Sequence, residues 1–277
     1  MRTRPLFAAL LLASAAGCAV LPKDHVQFER LADCPRQTAA HLIAQQNQLG
    51  PLSDTHALAC ALTFLRESND PALRRSSLGS HLCLHLAERE ADPKKRDKLA
   101  AEGVAFAETA LAQGGEKDGA VHYYLATNLG LAVREHITLA MKNLARLETE
   151  MKQALALSPD IDHGGPLRIL GTLYLKAPAW PNGIGDRDKA LELLEKVVAK
   201  HPEHPLNHLF YAQALWEEGD EDSLSQVKSE FALGEKLLGE GDWGYSRGPW
   251  KKEFDEFEQE MGEAGSGRQQ PLAQARK

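Results

Sequence analysis

The sequence predicts an all-α protein built as an array of antiparallel helix pairs, and three observations predict it. Leu and Ala dominate an apolar set that makes up 43% of the 277 residues, while β-branched residues are sparse, a composition that favours helices over strands. No run of alternating apolar and polar residues is long enough for a strand. Helical patterns instead follow one another at short intervals, and residues 162–202 read as two helices joined by a Pro/Gly/Trp-rich loop, the organisation of helical-repeat arrays.

The helices can be taken in order. Residues 38–48 form the first, ended by Leu49-Gly50-Pro51. Residues 54–67 follow Ser53, the expected N-cap. Residues 71–91 start with Asp70 as cap and Pro71 in the first turn. Residues 97–113 are amphipathic and stop at Gly114-Gly115. Segments 119–134 and 137–157 come next, either broken near Glu135-His136 or continuous. Then come 166–176, 188–200, 205–217, 223–238 and 249–261. The last residues, 262–277, are rich in Gly, Ser and Gln and read as a disordered tail. The helical-repeat domain is thus expected to span 34–261.

The beginning of the chain reads as an address. Arg2 and Arg4 precede a twelve-residue apolar run, 5–16, and small residues lead to Ala15-Ala16-Gly17-Cys18. The run is too short for a transmembrane helix, which needs about 20 residues, and the pattern is that of a secretory signal over 1–17. Ending on Gly17-Cys18, it resembles the lipobox of bacterial lipoproteins, although Ala15 stands where most lipoboxes have Leu. The resemblance implies cleavage before Cys18, lipidation of Cys18 and a tether over 18–33. Ala19 rather than Asp after the cysteine implies the periplasmic face of the outer membrane, and several acyl chains at one terminus make a stable anchor.

Charge and cysteines narrow the function class. The net charge is −7, and no Lys/Arg stripe interleaves with aromatics, so nucleic acid is not an expected partner. An oxidising compartment permits a disulfide among Cys34, Cys60 and Cys83. Cys60 and Cys83, on neighbouring helices, are the expected pair, with Cys34–Cys60 the alternative. No CxxC or His-partnered metal spacing is read for them. His204 and His208 are four apart with His201 close by, but Pro205 separates the pair and no third ligand for zinc is evident, and no metal or cofactor is expected. No nucleophile elbow, phosphate loop or zinc-protease motif occurs, so the chain does not read as an enzyme.

Spacing separates a repeat array from a bundle. Tetratricopeptide repeats place small residues at positions 8, 20 and 27, large ones at 4, 7, 11 and 24, and Pro at 32. Ala190, Leu194, Val197 and Pro202 match positions 20, 24, 27 and 32, and Tyr211, Ala212 and Leu215 match 7, 8 and 11 of the next unit. Upstream, Ala154 and Pro159 match 27 and 32, and Leu170, Gly171 and Tyr174 match 7, 8 and 11. Between Gly171 and Ala190 the chain carries seven residues more than such a unit needs. They belong to the loop 175–186, and loops of this size often carry function.

Several segments together resemble the T-component family of TRAP transporters: Asn128-Leu129-Gly130, residues 162–171, Leu175-Lys176-Ala177-Pro178-Ala179-Trp180-Pro181, Gly185-Asp186 with Lys189-Ala190, and Pro205-Leu206-Asn207-His208. The similarity covers residues 57–238. It implies a periplasmic lipoprotein with tetratricopeptide-like helices around a pore or cleft, which partners a periplasmic solute-binding protein and assembles as a trimer. It supplies no catalytic residues. The rival expectation is a periplasmic scaffold that binds polypeptide segments on a concave repeat surface during envelope assembly.

Six side chains are candidate ligand contacts, each with a structural alternative. Arg168 either holds a carboxylate bidentately or pairs with Asp162 or Asp186 to staple the long loop. Trp180 either faces a ligand or plugs that loop. Tyr124 and Asn128, four apart, share a helix face, and Asn128 either bonds neighbouring backbone or lines a wet channel. Tyr174 is an inter-helix packing residue in its alternative role. Asn207 either contacts solute or caps the preceding loop.

Overall fold

The computed structural model describes residue 31 and residues 33–219 and 223–268. The expected signal peptide over 1–17, Cys18, most of the expected tether and residues 269–277 of the expected tail lie outside the described residues.

The protein is all-α, with twelve α-helices among the described residues: α1 Ala39–Ala44, α2 Thr55–Glu67, α3 Pro71–Arg75, α4 Leu78–Arg89, α5 Pro93–Ala110, α6 Gly119–Val133, α7 Ile137–Leu157, α8 Gly165–Lys176, α9 Arg187–Lys200, α10 Pro205–Glu218, α11 Leu224–Glu240 and α12 Arg247–Arg268. None is long and apolar enough to cross a membrane.

Local chemistry sets most of the boundaries. Asp54, Asp70, Asp92, Asp118 and Asp186 each accept backbone N–H groups of the helix they start, satisfying donors that have no partner within the helix. Asp54 rather than Ser53 caps α2; the Ser53 hydroxyl donates instead to the Gln48 carbonyl at 2.9 Å. The segment expected as one helix over 71–91 is two. Ser76 turns extended (φ −85°, ψ 156°) and its hydroxyl donates to Leu73 O, the local competition that makes serine a helix breaker. The stretch 134–136 breaks α6 from α7. At the other end, α12 continues beyond Met261, where the sequence pattern placed its end, to Arg268.

The helices from α4 to α11 pack in chain order, each on the next. Contacts also skip one element, α4 to α6, α8 to α10 and α10 to α12. The array therefore has two rows, with α4, α6, α8, α10 and α12 in one and α5, α7, α9 and α11 in the other. The small and large positions read from the sequence meet between the rows. Leu194, Val197, Ala190 and Ala212 are fully buried, and a Cβ on Gly171 would lie 2.6 Å from the Leu194 side chain. Glycine here lets α8 and α9 approach closely.

Two units also share a polar motif. His122 on α6 places Nδ1 2.7 Å from the Glu150 carboxylate on α7 and Nε2 3.0 Å from Glu116 O. His208 on α10 places Nδ1 2.7 Å from Glu230 on α11 and Nε2 2.7 Å from Pro202 O. In both, an imidazole of the first row bridges a second-row carboxylate and the carbonyl six residues earlier.

The disulfide joins Cys34 to Cys60, with Cα atoms 5.4 Å apart, and Cys83 is free and buried. The expected Cys60–Cys83 pairing is overturned. Cys83 points into the core formed with Leu58, Leu62, Leu82 and Ala87, and burial pushes its thiol pKa up. A left-handed turn at Asp33 (φ 65°) leads into Cys34 ahead of α1, and this segment reaches Cys60 on α2.

Candidate functional site

The site is assembled at the turns between second-row and first-row helices. The α7–α8 turn has three consecutive left-handed residues, Asp162 (φ 50°), His163 (φ 52°) and Gly164 (φ 78°). Asp and His are among the side chains that tolerate this region, and glycine enters it freely. The turn aims the Asp162 and His163 carbonyls at the first turn of α8. There Arg168, only 3% exposed, donates to Asp162 O at 3.1 Å, to His163 O at 3.4 Å and to Asn207 Oδ1 at 2.8 Å, and pairs with the Asp162 carboxylate. The same carboxylate accepts from Tyr123 OH at 2.7 Å. Asn207 donates back to His163 O at 3.2 Å and to His201 O at 2.9 Å. One network thus ties α6, α8, α10 and two inter-helix turns together. Arg168 staples the α7–α8 turn through Asp162, not the loop 175–186.

A wall of rings continues the network in both directions. On one side, Tyr124 stacks on His81 of α4 with centroids 4.5 Å apart and planes 15° apart, and His81 lies 4.7 Å from His85. On the other, His163 lies 5.5 Å from His204, which sits 5.3 Å from Trp243 and 4.9 Å from Trp250 of α12. The segment just before α12 returns to the end of α4 and to the loop 50–53. Tyr245 donates its hydroxyl to Glu88 O at the end of α4. Its backbone N–H donates to Pro51 O at 3.1 Å, and the Arg89 guanidinium lies 5.1 Å from its ring. Arg89 holds the same loop by donating to the carbonyls of Gly50, Pro51 and Ser53 at 3.0, 3.1 and 2.7 Å.

Burial dominates the electrostatics of the titratable rings in this network. Burial lowers the His81 pKa to about 3, helped by His85 and opposed by Asp162. Burial also lowers the His204 pKa, reinforced by Arg168 and by His163, His201 and His208. Burial raises the Tyr123 and Tyr124 phenols, with Asp162 adding to both. Nδ1 of His81 and Nδ1 of His204 are buried without a hydrogen-bond partner among the described residues, a state that costs free energy in a closed interior.

The six sequence candidates separate. Arg168, Asn207 and Tyr124 belong to this network. Asn128, fully buried, donates to Ser80 O at 2.8 Å, Ser80 Oγ at 3.1 Å and Tyr124 O at 2.8 Å, while its Oδ1 has no partner. It joins α6 to α4. Tyr174 is 2% exposed, donates to Glu148 at 2.6 Å, and lies under Lys189 Nζ, 4.1 Å from the ring centre. Trp180 is 85% exposed and does not plug its loop. That loop closes on itself, with Gly185 N–H donating to Pro178 O at 2.8 Å and Asp186 N–H to Tyr174 O at 3.0 Å. It sits at the C-terminal end of α8, about 12 Å from Arg168 by helix rise. The sequence reading missed His81, His85, Trp243 and Trp250. The i,i+4 pair His81/His85 on one helix face was the available signal.

No protein-family model matches the chain, and no curated protein matches it.

Proposed function

We propose that this chain is a lipid-anchored periplasmic accessory protein of a TRAP-type transport system, which engages a solute-binding protein and accepts its solute on the inner row of helices. The observation that carries the reading is the run of aromatic, imidazole and buried polar groups contributed by α4, α6, α8, α10 and α12, with Tyr245, just before α12, bonded back to the end of α4. An open groove for a polypeptide would leave those ends apart. The tetratricopeptide-like spacing, the lipobox-like Cys18 and the T-component resemblance support the same reading. The lining favours a small uncharged or apolar solute. Arg168 is already paired with Asp162, and His81 and His204 are held neutral by burial, so an organic acid finds no spare positive charge in this network. Trp180, exposed on a self-closed loop, suits contact with the partner protein, because interface hot spots are enriched in tryptophan. Pull-down from solubilised membranes tests the reading. Recovery of a periplasmic binding protein by wild type, reduced for Trp180→Ala, is the expected result. No binding protein recovered, with solute uptake unchanged on deletion of the gene, counts against it.

A further inference from the structure

Away from the inner face, three ligating side chains converge at the start of α2. His56 and Cys60 are one turn apart on that helix, so both project from one face. His56 Nε2 lies 3.5 Å from Cys60 Sγ. Cys34 completes the group through the disulfide, and one ligand atom from each of the three residues lies within 4.8 Å of the others. His56 is exposed, Cys34 is half-buried and Cys60 is buried, so the cluster sits at the surface with one side open to solvent.

We infer that reduction of the Cys34–Cys60 disulfide turns Cys34, His56 and Cys60 into a Cys2His site for a thiophilic divalent cation such as zinc. A tetrahedral ion with Zn–S near 2.3 Å and Zn–N near 2.0–2.1 Å holds neighbouring ligand atoms roughly 3.3–3.8 Å apart. The His56–Cys60 separation already lies in that range. The two sulfurs must move apart, and reduction frees Cys34 to settle against both other ligands, all three already within 4.8 Å of one another. A dithiol supplies two electrons and two protons. The S–S bond breaks to two thiols, the dithiol closes to its own disulfide, and the entering cation displaces the two thiol protons. Cys34 precedes α1 and lies outside any helix, so it can give way, while α2 fixes His56 and Cys60. Three protein ligands leave the fourth position to water. In the oxidised protein the sulfurs carry no thiolate charge and the site is off. Cys83 is enclosed in the core and takes no part. The spacing His56-x3-Cys60 uses the same helix geometry as paired ligands in helical zinc motifs. The inference is independent of the transport reading.

Cobalt is the probe. The full chain is reduced with a dithiol, desalted anaerobically and titrated with Co2+, with helicity followed by circular dichroism. The expected result is one equivalent of cobalt giving a thiolate-to-cobalt charge-transfer band that zinc displaces, and no band in the oxidised protein. His56→Ala, an exposed substitution, weakens cobalt binding at least about tenfold, and Cys34→Ser abolishes the band. A reduced wild type without the band, affinity unchanged in His56→Ala, or loss of the helical signal on reduction would each overturn the inference.

Discussion

At the residue scale the network around Arg168 is the most demanding feature of the molecule. A buried guanidinium is tolerated only when its charge and donors are matched. Asp162, the 162 and 163 carbonyls and Asn207 do this here. Arg168→Leu removes the charge but takes a donor from the Asn207 oxygen and two carbonyls and leaves the Asp162 carboxylate with Tyr123 OH in place of its ion pair. We expect a loss of about 3 kcal/mol in urea unfolding, smaller than for a fully enclosed pair because the Asp162 side chain is 43% exposed. His81 makes a different prediction. Its pKa is lowered from 6.5 to about 3 in the folded state, so below pH 6.5 the unfolded chain binds a proton that the folded chain refuses. Stability is fully present above pH 6.5, falls as pH drops, and stops falling near pH 3. One such group costs about 2 kcal/mol at pH 5. Unfolding free energies of wild type and His81→Gln between pH 7 and pH 4 check this: the variant should lose stability less steeply, by about one proton.

At the scale of elements, the α2 region depends on a covalent tie. The Cys34–Cys60 bond spans 26 residues of sequence, and closing a loop of that size in the unfolded chain is worth about 3.5 kcal/mol on the chain-entropy model. Reduction should lower the melting temperature accordingly, and Cys34→Ser should show the lower value with or without reductant. Trp180→Ala should leave the unfolding free energy unchanged within about 0.5 kcal/mol, because the loop 175–186 is held by its own backbone bonds. Helix positions were largely legible because their signals are local. Asp70-Pro71 announces α3, and the periodic small residues of α8 to α10 announce the pairing. The break at Ser76-Ser77 was hidden inside a good apolar pattern, and the early start of α5 lay in Asp92-Pro93, a cap and first-turn proline outside the amphipathic stretch. The site was half legible. Arg168 and Asn207 stand in a segment dense with glycine and proline. The disulfide was misread because helix proximity says nothing about the direction of Cys83, which faces the core.

At the scale of the whole molecule, the closure by Tyr245 could not be read from the sequence, because it joins residues 157 apart through one aromatic ring and two backbone groups. Its mechanical meaning follows from the architecture. In a helical array each helix contacts mainly its neighbours, so stability is close to a sum of local terms, and breaking one long-range tie should change shape more than helicity. Gly244 is where that tie is most exposed to a side chain. Its φ is 52°, and a Cβ there would collide with the Pro51 carbonyl and approach Leu52 to 2.9 Å. Valine at this position opposes the left-handed backbone and pushes Tyr245 off the Pro51–Glu88 edge at once. We expect Gly244→Val to keep the far-ultraviolet circular dichroism of wild type while its radius of gyration in small-angle X-ray scattering rises. The inner face should open with it, so fluorescence from Trp243 and Trp250 should become accessible to an aqueous quencher. An unchanged radius with unchanged quenching would mean that the neighbour contacts alone set the curvature, and that the closure is a consequence of the array's shape rather than a restraint on it.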